Sequence, residues 1–365
     1  MTERVSLARR VWQHKDFLGR VIWLLALPFS IAYATGVRTR NRLYSAGLLP
    51  TKRLPRAVVS VGNLTVGGTG KTPTALWLAQ QLIGKGYRVA ILTRGYGRAG
   101  RGLLLLTQKS CCERVGLQGA SAAGDEAWMM AKLFGQTLGV SRDRYEAGMT
   151  LLRDEGIDVF ILDDGFQHRQ LQRDIDLLLL GEDWGGWLLP AGPFREPVSA
   201  LNRAHLLLAS GAKEKWMRIL NRNGKEAELF LGSLQPRCLR SWEGDRWREY
   251  PLSLLTGAKI LAISGIASPA SFYSMINDWQ GDVVEVLEFE DHHGYSQSDW
   301  QRINRGARNA EMIVTTEKDM VKLMRFPFAR GKMFALRVEM TVERGDVLVE
   351  AIDRMIREKL NQLRQ

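Results

Sequence analysis

Gly62-Asn63-Leu64-Thr65-Val66-Gly67-Gly68-Thr69-Gly70-Lys71-Thr72-Pro73 follows an apolar run, Ala57-Val58-Val59-Ser60-Val61, and precedes a helix-like segment, Thr74 to Leu82. The order is therefore strand, glycine loop, helix. Glycines let successive N–H groups turn toward one anion, and the helix N-terminus adds positive potential. In that setting Lys71 reaches outer phosphates and the Thr72 hydroxyl ligates magnesium. The strict pattern asks for glycine five residues before Gly70, where this chain has Thr65. Residues Thr65, Val66, Gly67, Gly68, Thr69, Gly70, Lys71 and Thr72 are the candidate nucleotide cradle.

The 365 residues exceed one comfortable core, and 45% hydrophobic with 25% charged residues is a folded composition. Cys111, Cys112 and Cys238 are odd in number and lack metal-ligand spacing, which suits a reducing compartment. The net charge of +12 raises nucleic acid as a partner. Its distribution argues otherwise: residues 1 to 56 carry eleven Lys/Arg against Glu3 and Asp16, a net of +9. The excess brackets Val21 to Val37, 17 residues without a charge.

Three readings compete for that segment. As a helix it spans about 25 Å, short of the roughly 30 Å hydrocarbon core, which favours a tilted or partly inserted anchor. Ala32-Tyr33-Ala34 resembles a signal-peptide cleavage site, and a helix of the soluble core is the third reading. Arg38 to Arg56 holds six basic residues and no acid, which suits an anionic lipid surface and makes the anchor the leading expectation.

Beyond the loop the pattern alternates. Tyr87 to Thr93 reads as a strand, and Arg94-Gly95-Tyr96-Gly97 is the loop at its C-terminal end, where open α/β sheets place ligands. Gly124-Asp125-Glu126 opens an amphipathic helix through Phe134, and Asp143 to Asp154 reads as another. The run Ile157 to Leu162 ends in Asp163-Asp164-Gly165, the carboxylates a phosphate-loop enzyme needs to hold magnesium and its water. Strands follow at Asp174 to Leu180 and His205 to Ala209. Between them lies a proline-rich loop, Leu189-Pro190-Ala191-Gly192-Pro193-Phe194-Arg195-Glu196-Pro197.

Lys213 to Asn223 is a basic helix, Ala227 to Leu234 a strand, and a polar Trp/Arg-rich segment leads to a second α/β unit from Lys259. Met333 to Met340 is a late strand expected to pair with Ala227 to Leu234 as a two-stranded connector. Asp291-His292-His293-Gly294-Tyr295 follows a strand, and a His beside an acid orients or accepts a proton near neutral pH. Thr316 and Asp319 have the spacing of an N-cap pair.

These segments together resemble the tetraacyldisaccharide 4′-kinases of Gram-negative lipid A synthesis. The motifs are the glycine loop, Arg94 to Gly97, Gly124 to Glu126, Leu162-Asp163-Asp164-Gly165-Phe166-Gln167-His168, Leu189 to Pro197, Asp291-His292-His293 and Thr316-Glu317-Lys318-Asp319, in order from about residue 10 to 325. The Thr65 departure is shared with the family pattern. The resemblance implies transfer of the ATP γ-phosphoryl group to the 4′-hydroxyl of an acylated disaccharide 1-phosphate at the cytoplasmic face of the inner membrane. It implies Asp125 as the base, with His292 as its partner; His293 is equally placed. Lys71 would hold the phosphates, and Arg94 or Arg195 would stabilise transferred charge. Magnesium would be ordered by Thr72, Asp163, Asp164 and Glu196, with His168 in support.

The expected fold is α/β, a P-loop NTPase-type mostly parallel sheet flanked by helices. A smaller α/β domain on a two-stranded connector and an N-terminal membrane-associated helix complete it. The expected boundaries are 1–37 (anchor), 38–226 (nucleotide-binding kinase domain), 227–340 (smaller domain with connector) and 341–365 (C-terminal helix). The expected partners are the lipid substrate and the anionic inner-membrane surface, without nucleic acid or an obligate protein partner. Two rivals stay open: a soluble kinase of another small molecule, and a membrane-bound regulatory ATPase without an acceptor. Many such ATPases carry lysine where this chain has Val66.

Overall fold

The computed structural model describes residues 11–12, 16–98, 100, 102–107, 122–183, 186–222, 228–243, 246–266, 269–291, 293–328 and 332–364. Cys111, Cys112, most of the 99–123 excursion and His292 lie outside them. In chain order the elements are α1 (Phe17–Ser45), β1 (Ala57–Asn63), α2 (Lys71–Gly84), β2 (Val89–Thr93), β3 (Leu104–Leu106), α3 (Asp125–Phe134), β4 (Thr137–Val140), α4 (Arg144–Glu155) and β5 (Val159–Asp163). Then come β6 (Ile175–Leu180), β7 (Leu206–Ala209), α5 (Lys213–Arg222), β8 (Leu229–Glu243) and β9 (Arg246–Tyr250). The last are β10 (Lys259–Ser264), α6 (Pro269–Asp278), β11 (Asp282–Glu288), α7 (Gln297–Gly306), β12 (Met312–Thr316), α8 (Glu317–Leu323), β13 (Met333–Val342) and α9 (Gly345–Arg364). The fold is α/β with mostly parallel strands and flanking helices. It forms two compact units, one from Met1–Lys71, Asp164–Gly232 and Val342–Gln365, the other from Thr72–Asp163 and Ser233–Thr341.

In the first unit, β1 pairs in parallel with β6, β6 with β7, and β7 with the start of β8. Every residue of β1 and β6 is buried, which is why both read as continuous apolar runs: a parallel strand covered on both faces has no polar side to show. Phe166, Phe194 and Trp216 fill the core beside β6 and β7. Lys359 on α9 pairs with Asp174 at 2.9 Å.

Helix α1 begins at an Asp16 cap and carries Pro28 inside without ending there. It runs unbroken through Ala32-Tyr33-Ala34 into Arg38, Arg40 and Arg42, so part of the basic stretch continues the same helix. Gly19, Ser30, Ala34 and Val37 are buried, whereas Phe17, Leu18, Leu24, Leu25, Phe29 and Ile31 are exposed. A core helix would bury that apolar face. By length and composition α1 is able to cross a membrane.

In the second unit, β2 lies between β5 and β4, all parallel, with β3 antiparallel on β4. A further parallel set has the order β11-β10-β12-β13. Its residues alternate between two cores, Leu261, Ile263 and Ile313 on one face and Ile260, Ala262 and Val314 on the other. The polar Trp/Arg-rich segment differs from its sequence reading. It forms the antiparallel hairpin of β8 and β9, with Leu239 opposite Tyr250 and Trp242 opposite Trp247. Its charges are satisfied laterally, Arg240 meeting Glu249 at 2.7 Å and Glu317 at 3.2 Å. The Ser241 hydroxyl donates to the Met333 carbonyl, which sets this part of β8 beside β13.

Candidate active site

The phosphate loop of the first unit is built from the end of β1. A Cβ at Gly62 would sit 2.6 Å from the Phe166 Cβ, so only glycine fits there. Asn63, fully buried, donates to the Thr69 hydroxyl at 2.8 Å, accepts from Arg195 through its side chain, and takes the Gln167 amide on its carbonyl at 2.9 Å. Asn63 thus ties the glycine loop to the segment after β5 through its backbone carbonyl and to the segment after β6 through its side chain. The proline-rich loop runs alongside, with the Val66 amide donating to Pro193 and the Arg195 amide to Leu64. Gly67 and Gly70 take positive φ, 109° and 81°, which frees the intervening backbone to turn. Lys71 opens α2, its Nζ donating to the Gly67 carbonyl at 3.3 Å and lying 3.9 Å from Asp164.

Asp164 and Arg195 form a forked pair at 2.9 and 3.0 Å. Arg195 is therefore engaged with a carboxylate and with Asn63. Glu196 is fully buried and accepts both guanidinium nitrogens of Arg203, at 2.8 and 3.1 Å, and the Asn41 amide at 2.6 Å. Burial raises its pKa, but Arg203, Asn41 and Arg40 outweigh that and hold the carboxyl below its ordinary value. Expected as a magnesium ligand, this carboxylate instead fastens the proline-rich loop to α1. Ser30 and Tyr33 add hydrogen bonds from α1 to the carbonyls of Leu188 and Arg195. Arg169, in the turn after β5, donates to the Asn41 carbonyl and covers the Tyr44 ring. Neighbouring His168 gives its carbonyl to Arg173.

In the second unit, the Thr72 hydroxyl donates to Asp163 at 3.4 Å, and Asp163 ends a strand whose five residues are all buried. A P-loop threonine beside a strand-end carboxylate is the donor set that suits magnesium. Arg94, at the end of β2, is exposed. Gly124 caps α3 at φ 88°, and a Cβ there would meet the Tyr96 carbonyl at 2.7 Å. The Arg94 to Gly97 loop and the Gly124 to Glu126 turn are thereby in backbone contact.

Asp125 and Glu126 occupy the first turn of α3, and a lysine of α8 meets each of them. Lys322 lies 3.4 Å from Asp125, and Lys318 lies 3.3 Å from Glu126 and 2.9 Å from Asp291. Burial works against the Lys318 charge, but Glu126 and Asp291 outweigh it and raise its pKa. His293, the alternative partner for the base, hydrogen-bonds Asp299 at 3.0 Å and stacks on Phe289. Three motifs far apart in sequence meet in this cluster: Gly124 to Glu126, the loop after β11, and Thr316 to Asp319. The sequence reading quoted Lys318 within a motif but gave neither lysine a role, taking Thr316 and Asp319 as a cap. Nothing local to α8 marks carboxylates nearly 200 residues upstream.

The family model described as tetraacyldisaccharide-1-P 4′-kinase matches residues 22–357. A tetraacyldisaccharide 4′-kinase of Syntrophus aciditrophicus is 40% identical over 325 residues, covering 82% of this chain and 84% of its own. One from Geobacter metallireducens is 35% identical over 353 residues, covering 93% of this chain and 100% of its own. The crystal structure of the "apo" form of LpxK from Aquifex aeolicus in complex with ATP aligns with a TM-score of 0.75 at 35% identity, over 90% of this chain and 98% of that one.

Proposed function

The chain belongs to the tetraacyldisaccharide-1-P 4′-kinase family, an ATP-dependent transferase of lipid A biosynthesis, and from that premise we propose how its residues divide the reaction. The observation that carries the assignment is the glycine loop delivering Lys71 and Thr72 as the first residues of α2, with the Thr72 hydroxyl 3.4 Å from Asp163. Loop N–H groups and Lys71 hold the β and γ phosphates of ATP, and the helix N-terminus adds to their field. Magnesium, when bound by Thr72 and Asp163 with Asp164 beside them, neutralises phosphate charge. Arg195 orients Asp164 and Asn63, and exposed Arg94 is the cation that meets the transferred group. Glu196 keeps the proline-rich loop against α1.

Asp125 accepts the proton of the sugar 4′-hydroxyl while that oxygen bonds the γ phosphorus. The bond from the γ phosphorus to the bridging oxygen breaks, and ADP leaves with the electron pair. His292 is its partner by family resemblance, and the engagement of His293 with Asp299 and Phe289 supports that choice. Helix α1 rests on the cytoplasmic face of the inner membrane, its exposed apolar face in lipid and Arg38 and Arg42 at anionic headgroups, while Arg40 pairs with Glu196. A groove of about 330 Å³ between α1 and Gly186, Trp187 and Leu188 adds apolar surface there.

Incubation with labelled ATP, magnesium and a detergent-dispersed acylated disaccharide 1-phosphate is expected to place one new phosphate at the 4′ position. With the label on the γ phosphate, label in free phosphate alone would overturn the acceptor and favour the regulatory ATPase. Cosedimentation with anionic but not zwitterionic vesicles tests the membrane reading in the same preparation.

A further inference from the structure

Helix α8 has seven residues, of which Glu317, Asp319, Met320, Val321, Lys322 and Leu323 are buried. Three of its buried positions are charged, and two of them face one another: Lys322 Nζ lies 3.3 Å from Asp319 Oδ1 and 3.4 Å from Asp125 Oδ2. The same ammonium donates to the His293 carbonyl at 3.0 Å and sits 5.5 Å from the Tyr295 ring centroid. An ammonium has three donors, and three acceptors surround this one. Asp319 is fixed in turn, accepting the Gly265 amide at 2.8 Å and the Thr316 hydroxyl at 2.7 Å. A lysine held in this way stays with its carboxylates and does not swing out to a phosphate.

We propose that Lys322 is a positioning residue for Asp125: it fixes one oxygen of that carboxylate and keeps it ionised, ready to take the proton of the acceptor hydroxyl. The inference rests on Asp125 as the proton acceptor. An opposite charge within about 4–6 Å favours the charged form of a carboxylate and lowers its pKa by about 1–3 units. Among the described residues, the other charged or titratable groups at the site are Glu126 on α3, Lys318 on α8, and Asp291 and His293 on the loop after β11; β4, which also packs on α3, contributes none. Lys318 is shared between Glu126 and Asp291, and Lys322 is the lysine of α8 that lies 3.4 Å from Asp125.

The test is steady-state phosphoryl transfer across pH by the full chain in detergent. Wild type is compared with Lys322→Met, Lys322→Arg, Asp125→Asn and the double variant Asp125→Asn/Lys322→Met. Lys322→Met is expected to lower kcat about 30-fold, the scale of a misaimed catalytic group, with the KM for ATP within about twofold. Its acid limb moves to higher pH, because the cation that favours the ionised carboxylate is gone. Lys322→Arg keeps the wild-type limb. In the Asp125→Asn background Lys322→Met costs nothing further. An unshifted limb, or the same loss in both backgrounds, overturns the proposal and leaves Lys322 a fastening between α3 and α8. Wild-type turnover by Asp125→Asn overturns the base assignment instead. Should Lys322→Met unfold, Lys322→Gln, neutral but still able to donate to His293, gives the same comparison.

Discussion

The phosphate loop and the lysine-bridged cluster on α3 and α8 are assembled by different means. At the loop, function is a property of backbone: Gly62, Gly67 and Gly70 shape it, and Lys71 and Thr72 follow within two residues. At the cluster, function is a property of side chains from three distant segments, with Lys318 and Lys322 meeting Glu126 and Asp125. A backbone device is written contiguously because its parts must be neighbours in the chain. A side-chain device is placed by topology, so no short stretch of sequence contains it. The two regions should therefore respond differently to substitution: loop changes remove a chemical role outright, cluster changes are graded.

The largest effect is expected at the loop. Lys71→Ala should reduce phosphoryl transfer about 10³-fold, roughly 4 kcal/mol of transition-state stabilisation, as loss of a positioned cation on a transferring phosphoryl group does. The chain should fold as before, since the Lys71 ammonium meets the Gly67 carbonyl at 3.3 Å and the partly exposed Asp164 at 3.9 Å, neither a core contact. Single-turnover assays with far-UV dichroism check both. A loss of less than tenfold would break the contrast with the cluster.

Glu196→Gln is expected to act on stability first. Removing the charge leaves Arg203 facing a neutral amide in a fully buried position, a loss of about 3 kcal/mol, near the low end for breaking a buried pair. The sign of the pH dependence follows from the depressed pKa. Stability from this carboxylate is present above its unfolded pKa and is lost as pH falls through the lower folded value. Wild type should thus lose stability on acidification while Glu196→Gln has no such contribution to lose, and denaturant midpoints across the acid range measure the difference. Equal midpoints for the two proteins at neutral pH would return Glu196 to a role at the metal.

How much was legible follows the same division. Strands β1, β5 and β6 were plain as apolar runs, and the cap Thr316 was plain as a short polar side chain ahead of a helix, whereas Asp143 was read as the first residue of the helix it caps. Strand β4 was not: Thr137–Val140 is four residues with a glycine, and Gly139 is there because a Cβ would meet Leu92 at 2.8 Å. The β8 and β9 hairpin was read as a polar segment because its outward residues, such as Arg237 and Arg248, answer charges on neighbouring strands. Glu196 was expected at the magnesium, and its bonds to Asn41 and Arg203 were not legible. Its partners Asn41 and Arg203 lie 155 and 7 residues away, and no spacing rule joins them.

Thr316 is where a local device serves the distant one. Its hydroxyl accepts from the Asp319 amide at 3.1 Å and donates to the Asp319 carboxylate at 2.7 Å. The cap thus starts α8 and aims the carboxylate that shares Lys322 with Asp125. Thr316→Val keeps the extended backbone and the branched shape but removes the oxygen, at a cost of about 1 kcal/mol. That corresponds to a fall in melting temperature of about 2 °C. If α8 only packs, turnover should track this small loss and stay within error at temperatures well below melting. If α8 holds Lys322 on Asp125, kcat should fall about fivefold at such temperatures, because a tilt of well under 1 Å at the base already weakens its alignment. Thr316→Ser, which restores the oxygen without the methyl group, is expected to recover both properties, and measuring kcat and melting on the three proteins separates packing from aim.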